Sequence, residues 1–512
     1  MRLEIVLAAL AERHPERDAV ICGGRRLSYG DLQDSVTRLA QGLADLGLGV
    51  GDRIVLYLPN GVEFVQAFYA ALSLGAIAVP VTTRMTISEL AFFCEDTAPA
   101  IVVCHAEQAA TVEALLVDSD AIQSVVVGTA TGRSRSFFAL LASEAGDALA
   151  DPVDQEDCMI SYTSGTTGRP KGAIATHANV LIQHAFIHAL EWGITAEDRF
   201  LVATPLAHRT GFGRLANALT LGGTIVVMEQ FDPAEAVRLI EREKVTVMGM
   251  VPTVCRMMVP HIAQNPEKCR TLRRVVVTGE AFPVELKQQF IALLPDTKLV
   301  SFFAMTEAGA VTCLGHAEQF THPASVGRPT PGVEVRIVDP AGDDVEPGLV
   351  GEVLVRSGRP GAYTVMKGYW NRPAETETAI RSGWLHTGDL GRLDGDGYLY
   401  IADRKNDMIL SGGFNIYSKE VEQVLIACPG VADAAVVGVP DELYGEAVAA
   451  YIEPEPGATP TTEDILAHCR QHLAGYKKPK YVAFMATLPR NATGKVLKRD
   501  LAAKASTDLP LE

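Results

Sequence analysis

From residue 53 onward, short runs of aliphatic and β-branched residues alternate with stretches of helical spacing, and this alternation constrains the fold of the 512-residue chain more than any other feature. Residues 53–58 read as a strand, 61–74 as a helix and 77–81 as a strand; strand-like runs follow at 101–104 and 124–127. The alternation returns at 224–228, 233–243, 245–251, 252–263, 274–278, 284–294 and 298–303. Strands that are nearly continuous apolar runs are buried on both faces, which implies parallel sheets covered by helices. Residues 324–403 change character: runs at 333–338, 350–356 and 398–402, punctuated by Gly and Pro, predict a β-rich subdomain. After Asp403 the order becomes helix (418–427), strand (434–439), strand (447–452), helix (462–473), strand (481–485), a module of roughly a hundred residues that is large enough to fold separately. The expected fold class is therefore α/β, with a large N-terminal domain of two parallel-type subdomains plus a β-rich one, followed by a small C-terminal α/β domain.

Composition narrows the functional classes. The chain is 48% hydrophobic and 21% charged, so it is globular, and its net charge of −17 argues against nucleic-acid or anionic-membrane binding. Its nine cysteines are scattered without a CxxC pair, which suits reduced thiols in a cytoplasmic protein better than a disulfide or zinc framework. The first ten residues predict an amphipathic helix, and the most apolar window, 67–81, is broken by Gly75 and Pro80, so no membrane span is expected. Charge is uneven, however. Between residues 470 and 504 nine basic residues face a single acid, Asp500. Such a run is usually a solvated face; in an acidic chain it is also where an anion would be attracted.

The densest chemical signal is Tyr162-Thr-Ser-Gly-Thr-Thr-Gly-Arg-Pro-Lys171-Gly172. Gly-rich backbone, several hydroxyls and one ammonium can together cradle a polyphosphate. A Walker loop needs its Lys directly after Gly, which this segment lacks, so it is not a P-loop. The glycines at 47, 49 and 51 follow a helical pattern and read as a helix stop rather than a dinucleotide fingerprint.

Six segments in order resemble the motifs of the adenylate-forming superfamily, which includes acyl-CoA synthetases, peptide-synthetase adenylation domains and beetle luciferases. Besides the 162–172 segment they are Gly279-Glu-Ala-Phe-Pro283, similar to an adenine-contacting turn; Phe303-Ala-Met-Thr-Glu307; Trp384-Leu-His-Thr-Gly-Asp389, similar to a ribose-binding motif; Asp403-Arg404 through Ser411-Gly-Gly-Phe-Asn415, similar to a hinge and the loop beyond it; and Pro489-Arg-Asn-Ala-Thr-Gly-Lys495, similar to a catalytic-lysine loop.

The resemblance implies roles residue by residue. Thr163, Ser164, Gly165, Thr166, Thr167 and Lys171 would hold phosphates, and Gly279, Glu280, Ala281 and Phe303 would contact adenine. Thr306 would donate to the α-phosphate and Glu307 would hold Mg2+, although Thr306 is also a good helix N-cap after a strand. Asp389 and Arg404 would take the ribose hydroxyls. Lys495 would bridge carboxylate and α-phosphate. His208, in Pro205-Leu-Ala-His208-Arg-Thr-Gly-Phe-Gly213-Arg214, would wall the carboxylate site or simply pack. Gly412 and Gly413 would leave room for a pantetheine arm once a mobile C-terminal domain (404–512) turns about Asn406 against the N-terminal domain (1–403). Phe303 stands where relatives usually have Tyr and Ala304 where they usually have Gly. Arg209 and Arg214 are expected to be solvated or paired; either one facing the pocket would imply a second polar or anionic group on the substrate.

The reading favoured is an ATP-dependent acid–CoA ligase. It would activate a fatty or aryl carboxylic acid as acyl-AMP, release pyrophosphate and form the thioester, with ATP, Mg2+ and coenzyme A as cofactors. Alternatives are adenylation for a carrier protein acting in trans, or a nucleotide-binding relative without turnover. The partners expected are small molecules, with a homodimer left open.

Overall fold

The computed structural model describes residues 1–117, 121–142, 155–163, 170–278, 282–490 and 496–508. The chain divides into two compact units: one comprises Met1–Val335, Val355–Leu385 and Gly397–Leu399, the other Arg336–Leu354, His386–Asp396 and Tyr400–Glu512.

The first unit is built on two mixed sheets whose interiors are parallel, as the apolar runs require. In the nine-stranded sheet the parallel strands Lys298–Met305, Arg274–Val277, Val247–Met250, Arg199–Val202, Thr224–Val227 and Asp18–Cys22 lie side by side. In the eight-stranded sheet Asp157–Thr163, Ile77–Pro80, Arg53–Tyr57, Ile101–His105 and Gln123–Val127 do the same. Antiparallel partners close the edges: Gly309–Leu314 beside Lys298–Met305, and Lys171–Thr176 beside Asp157–Thr163. The sheets share one core, because the helices Val62–Ser73 and Arg209–Leu221 are apolar nearly all round and are buried with residues of both; Phe68 and Phe212 meet edge to face at 5.0 Å.

Local signals set the helix boundaries. Asp232 caps the Pro233–Glu243 helix by accepting from Glu235 N, with Pro233 in the first turn where its missing N–H is harmless. Ser28 with Asp31, and Thr86 with Glu89, form reciprocal capping boxes.

In the second unit the Val431–Asp441 and Gly445–Pro454 strands pair antiparallel over their whole length, and Tyr481–Phe484 adds a parallel strand to the latter. Alternation puts Val436, Val448, Ala450 and Ile452 on one face, under the Ser418–Ile426 and Thr462–His472 helices. Ala435, Val437, Ala449 and Tyr451 lie on the other face with Leu501. Among the described residues no helix is long and apolar enough to cross a membrane. All nine cysteines are buried and unbridged.

Candidate active site

In the first unit the hydroxyl-rich segment joins two antiparallel strands: Asp157–Thr163 pairs with Lys171–Thr176, with Thr163 opposite Lys171. The intervening residues, including Ser164, Gly165, Thr166 and Thr167, lie outside the described residues. At the mouth of this hairpin stands Glu307, 9% exposed. Its Oε1 accepts from the Tyr369 hydroxyl at 3.0 Å and from the Thr163 hydroxyl at 3.4 Å, while the Lys171 ammonium lies 5.3 Å from the centre of the Tyr369 ring. Burial and the neighbouring Glu307 push the Tyr369 phenol far up, so it remains a neutral donor. No hydrogen bond to Oε2 accompanies these among the described residues, which leaves a hard oxygen for a cation. No group of three His, Cys, Asp or Glu residues capable of holding a metal occurs among the described residues. One carboxylate without a cage fits a Mg2+ that arrives with phosphate oxygens and keeps its water, not a metal enclosed by protein.

Tyr369 was not foreseen. It reaches the site because Gly368–Tyr369 pairs antiparallel with Ala173 and Ile174. The aromatic pair Tyr369-Trp370 after a glycine is the only sequence signal for it. The same corner is tied by Asp96, whose carboxylate accepts from Tyr162 at 2.6 Å and from Arg372 at 2.9 Å, and whose carbonyl accepts from the Trp370 indole at 3.1 Å.

The expectation that Thr306 could start a helix is wrong. A tight turn follows Met305 and the chain returns as the strand Gly309–Leu314. Gly309 makes the reversal with φ +68°, and a Cβ there would lie 2.8 Å from Gln183 Oε1 and 2.9 Å from the Thr364 carbonyl. Phe303, Ala304 and Thr306 are half-buried on the approach to the turn, beside a bulge between Phe303 and Ala304. Gly279, Glu280 and Ala281 lie outside the described residues.

His208 is exposed and immediately precedes the Arg209–Leu221 helix. Gly211 lets that helix approach the Pro205 turn: a Cβ would fall 2.2 Å from the Pro205 carbonyl oxygen. For Arg214 the expectation of a solvated or paired side chain is overturned. Arg214 is 3% exposed with its guanidinium 4.7 Å from the Trp192 ring centre, and neither it nor Arg209 has a carboxylate partner among the described residues. Arg209 donates to Gln183 Oε1 at 3.4 Å, but its Nη1 is buried without a partner. Arg214 sits in the buried stretch of its helix and is cut off from water, whereas Arg209, at the helix start, is half-buried. Burial lowers both pKa values, that of Arg214 to about 9.

In the second unit Asp389 is buried and Arg404 exposed, with Nε 3.5 Å from Asp389 Oδ1. Asn406 lies in an exposed turn just after. Gly412 and Gly413 are the turn residues of the Ile409–Ser411 and Phe414–Ile416 hairpin, with φ +56° and +83°. That two-residue turn demands positive φ at both positions, a structural reason for glycine independent of any ligand. Lys495 lies outside the described residues. A surface groove of this unit, lined by Tyr451 and residues 483–487, presents no acid or cation.

Residues 7–370 match the AMP-binding enzyme family, and residues 420–495 match the AMP-binding enzyme C-terminal domain. The chain belongs to the AMP-binding enzyme family. It is thereby a member of the adenylate-forming superfamily. It is 36% identical to a feruloyl-CoA synthase of an Amycolatopsis species, covering 96% of each chain, and 36% identical to the long-chain-fatty-acid–CoA ligase FadD13 of Mycobacterium tuberculosis, covering 95% of this chain and 94% of that one. Among solved structures it resembles o-succinylbenzoate–CoA synthetase of Bacillus subtilis with its acyl-adenylate intermediate, at a TM-score of 0.87, 30% identity and 97% coverage of both chains. The same enzyme with ATP and a magnesium ion aligns at a TM-score of 0.86.

Proposed function

We propose how this family member works and which residues do it. The chain is an ATP-dependent acid–CoA ligase that uses ATP, Mg2+ and coenzyme A. The observation that carries the reading is the convergence of Thr163, Lys171, Tyr369 and Glu307, from four segments, at the mouth of the hydroxyl-rich loop.

A carboxylate oxygen attacks the α-phosphorus of ATP; the new O–P bond forms as the bond to the β-phosphate bridging oxygen breaks, and pyrophosphate leaves. Two anions must meet, so cations have to stand where charge develops. Thr163, Ser164, Gly165, Thr166, Thr167 and Lys171 hold the β- and γ-phosphates. Thr306 donates to the α-phosphate. Glu307, its Oε1 fixed by Tyr369, offers Oε2 to Mg2+, which neutralises phosphate charge when bound. Gly279, Glu280, Ala281 and Phe303 frame adenine, Asp389 and Arg404 take the ribose hydroxyls, and Lys495 spans the carboxylate and α-phosphate. His208 borders the carboxylate site.

In the second half-reaction the CoA sulfur attacks the acyl carbon and AMP departs. The C-terminal domain, 404–512, turns about Asn406 to withdraw Lys495 and present Gly412 and Gly413. Buried, unbridged cysteines support a cytoplasmic setting, and the charge of −17 supports small-molecule rather than nucleic-acid partners.

The test is a pyrophosphate-release screen over short, medium, branched, aromatic and dicarboxylic acids, with and without CoA. Acid-dependent pyrophosphate, with thioester only when CoA is present, is expected; ADP as the product overturns the reaction class.

A further inference from the structure

The first unit contains a cluster of buried donors with nothing to donate to. Arg214 is buried without a carboxylate partner among the described residues, and its Nε has no hydrogen-bond partner. His188, 1% exposed, stacks on the same indole as the Arg214 guanidinium, its ring centre 3.7 Å from that of Trp192. Asn217 fixes the His188 tautomer. Its Nδ2 donates to the His184 carbonyl at 2.9 Å and lies 3.2 Å from His188 Nδ1, nearer than its Oδ1 at 3.5 Å, which favours the tautomer with the ring proton on Nε2. Nε2 is buried with no hydrogen-bond partner among the described residues. A buried donor left unsatisfied is costly, and more so if charged, so two on one indole call for an acceptor from outside the chain.

The cluster stands at a definite place relative to the reacting groups. The Phe302 ring lies 5.5 Å from His188 and 5.1 Å from Trp192, on the strand that ends just before Thr306. Four residues of strand separate Phe302, against which the cluster packs, from Thr306 by roughly 13 Å. A narrow gap, lined in part by His188, Trp192, Phe302, Ala310 and Thr330, adjoins it. Glu191 also borders the gap; burial raises its pKa, and a hydrogen bond with Cys313 acts in the opposite direction.

Resting on the ligase reading, we propose that the acid activated by this chain carries a second carboxylate at the end remote from the one adenylated, and that Arg214 and His188 receive it. The guanidinium supplies the charge and a fork of donors, and the imidazole N–H supplies a further bond. Trp192 and Phe302 give the body of the acid an aromatic wall, which suits a ring or a medium-length chain.

The experiment compares kcat/KM for pyrophosphate release with three acids matched in length, ending in a carboxylate, a methyl ketone or a methyl group, in the wild type and in Arg214→Met. In the wild type the carboxylate-ended acid is expected to exceed the methyl-ended one at least tenfold, with the ketone between them. In Arg214→Met that ratio should fall at least tenfold. A wild type that prefers the methyl or ketone acid overturns the proposal, as does a variant that lowers all three rates equally. Melting temperature checks that the variant is folded; if it is not, the wild-type order decides alone. Absence of pyrophosphate with every acid would instead refute the ligase reading itself.

Discussion

The Tyr369 hydroxyl donates to Glu307 Oε1 across 3.0 Å, and this bond from an edge strand holds that oxygen beside Thr163 at the mouth of the Asp157–Thr163 and Lys171–Thr176 hairpin. A hydrogen bond to a charged group contributes about 1.5–3 kcal/mol, so Tyr369→Phe should reduce kcat/KM for adenylation by roughly tenfold or more. It should also shift the magnesium titration to higher concentration without changing the melting temperature appreciably. An unchanged magnesium dependence would separate Tyr369 from the role given to Glu307.

His177 gives the chain an acid-sensitive anchor. Its ring is buried and Nδ1 accepts from Leu3 N at 3.1 Å, holding the first helix. Burial, with help from Arg2 and the N-terminus, lowers its pKa from 6.5 to about 3. The folded value lies below the unfolded one, so the unfolded chain takes up the proton first: stability is full above pH 6.5 and is lost as pH falls towards 3. His177→Gln retains an acceptor but does not titrate. The stability difference between wild type and variant, followed by chemical denaturation from pH 7 to pH 4, should move steadily against the wild type.

Asp403 is fully buried and accepts from Ser418 N, from Ser418 Oγ at 3.0 Å and from Arg404 N at 2.8 Å. It ties the start of the Ser418–Ile426 helix to the strand leading into the Asn406 turn. Asp403→Ala strands these donors and should destabilise the protein by about 2–4 kcal/mol, with faster proteolysis between residues 404 and 417. Asp403→Asn, which keeps part of the acceptor set, should lose less.

The parts of this molecule legible in sequence are those governed by local rules. The Pro233–Glu243 helix is bounded as its sequence implies because Asp232 and Pro233 specify its start. The apolar runs identified parallel strands because burial on both faces leaves no alternation to read. Thr306 misled because an N-cap residue is also a turn residue, and the small residues after it favour a strand only once Gly309 has reversed the chain. Arg214 misled because an arginine ordinarily marks a solvent face, whereas its helix is wedged between two sheets. Tyr369 and His188 join their sites only through strand pairing and stacking, which spacing along the chain does not encode.

The central claim is that the acid's own oxygen attacks the α-phosphorus. Supplying a carboxylate labelled with 18O on both oxygens, together with ATP, Mg2+ and CoA, and weighing the nucleotide product by mass spectrometry tests it directly. AMP carrying one 18O atom is the predicted result, because the oxygen that bonds to phosphorus stays with AMP when CoA takes the acyl group. Unlabelled AMP, or ADP in its place, would contradict it.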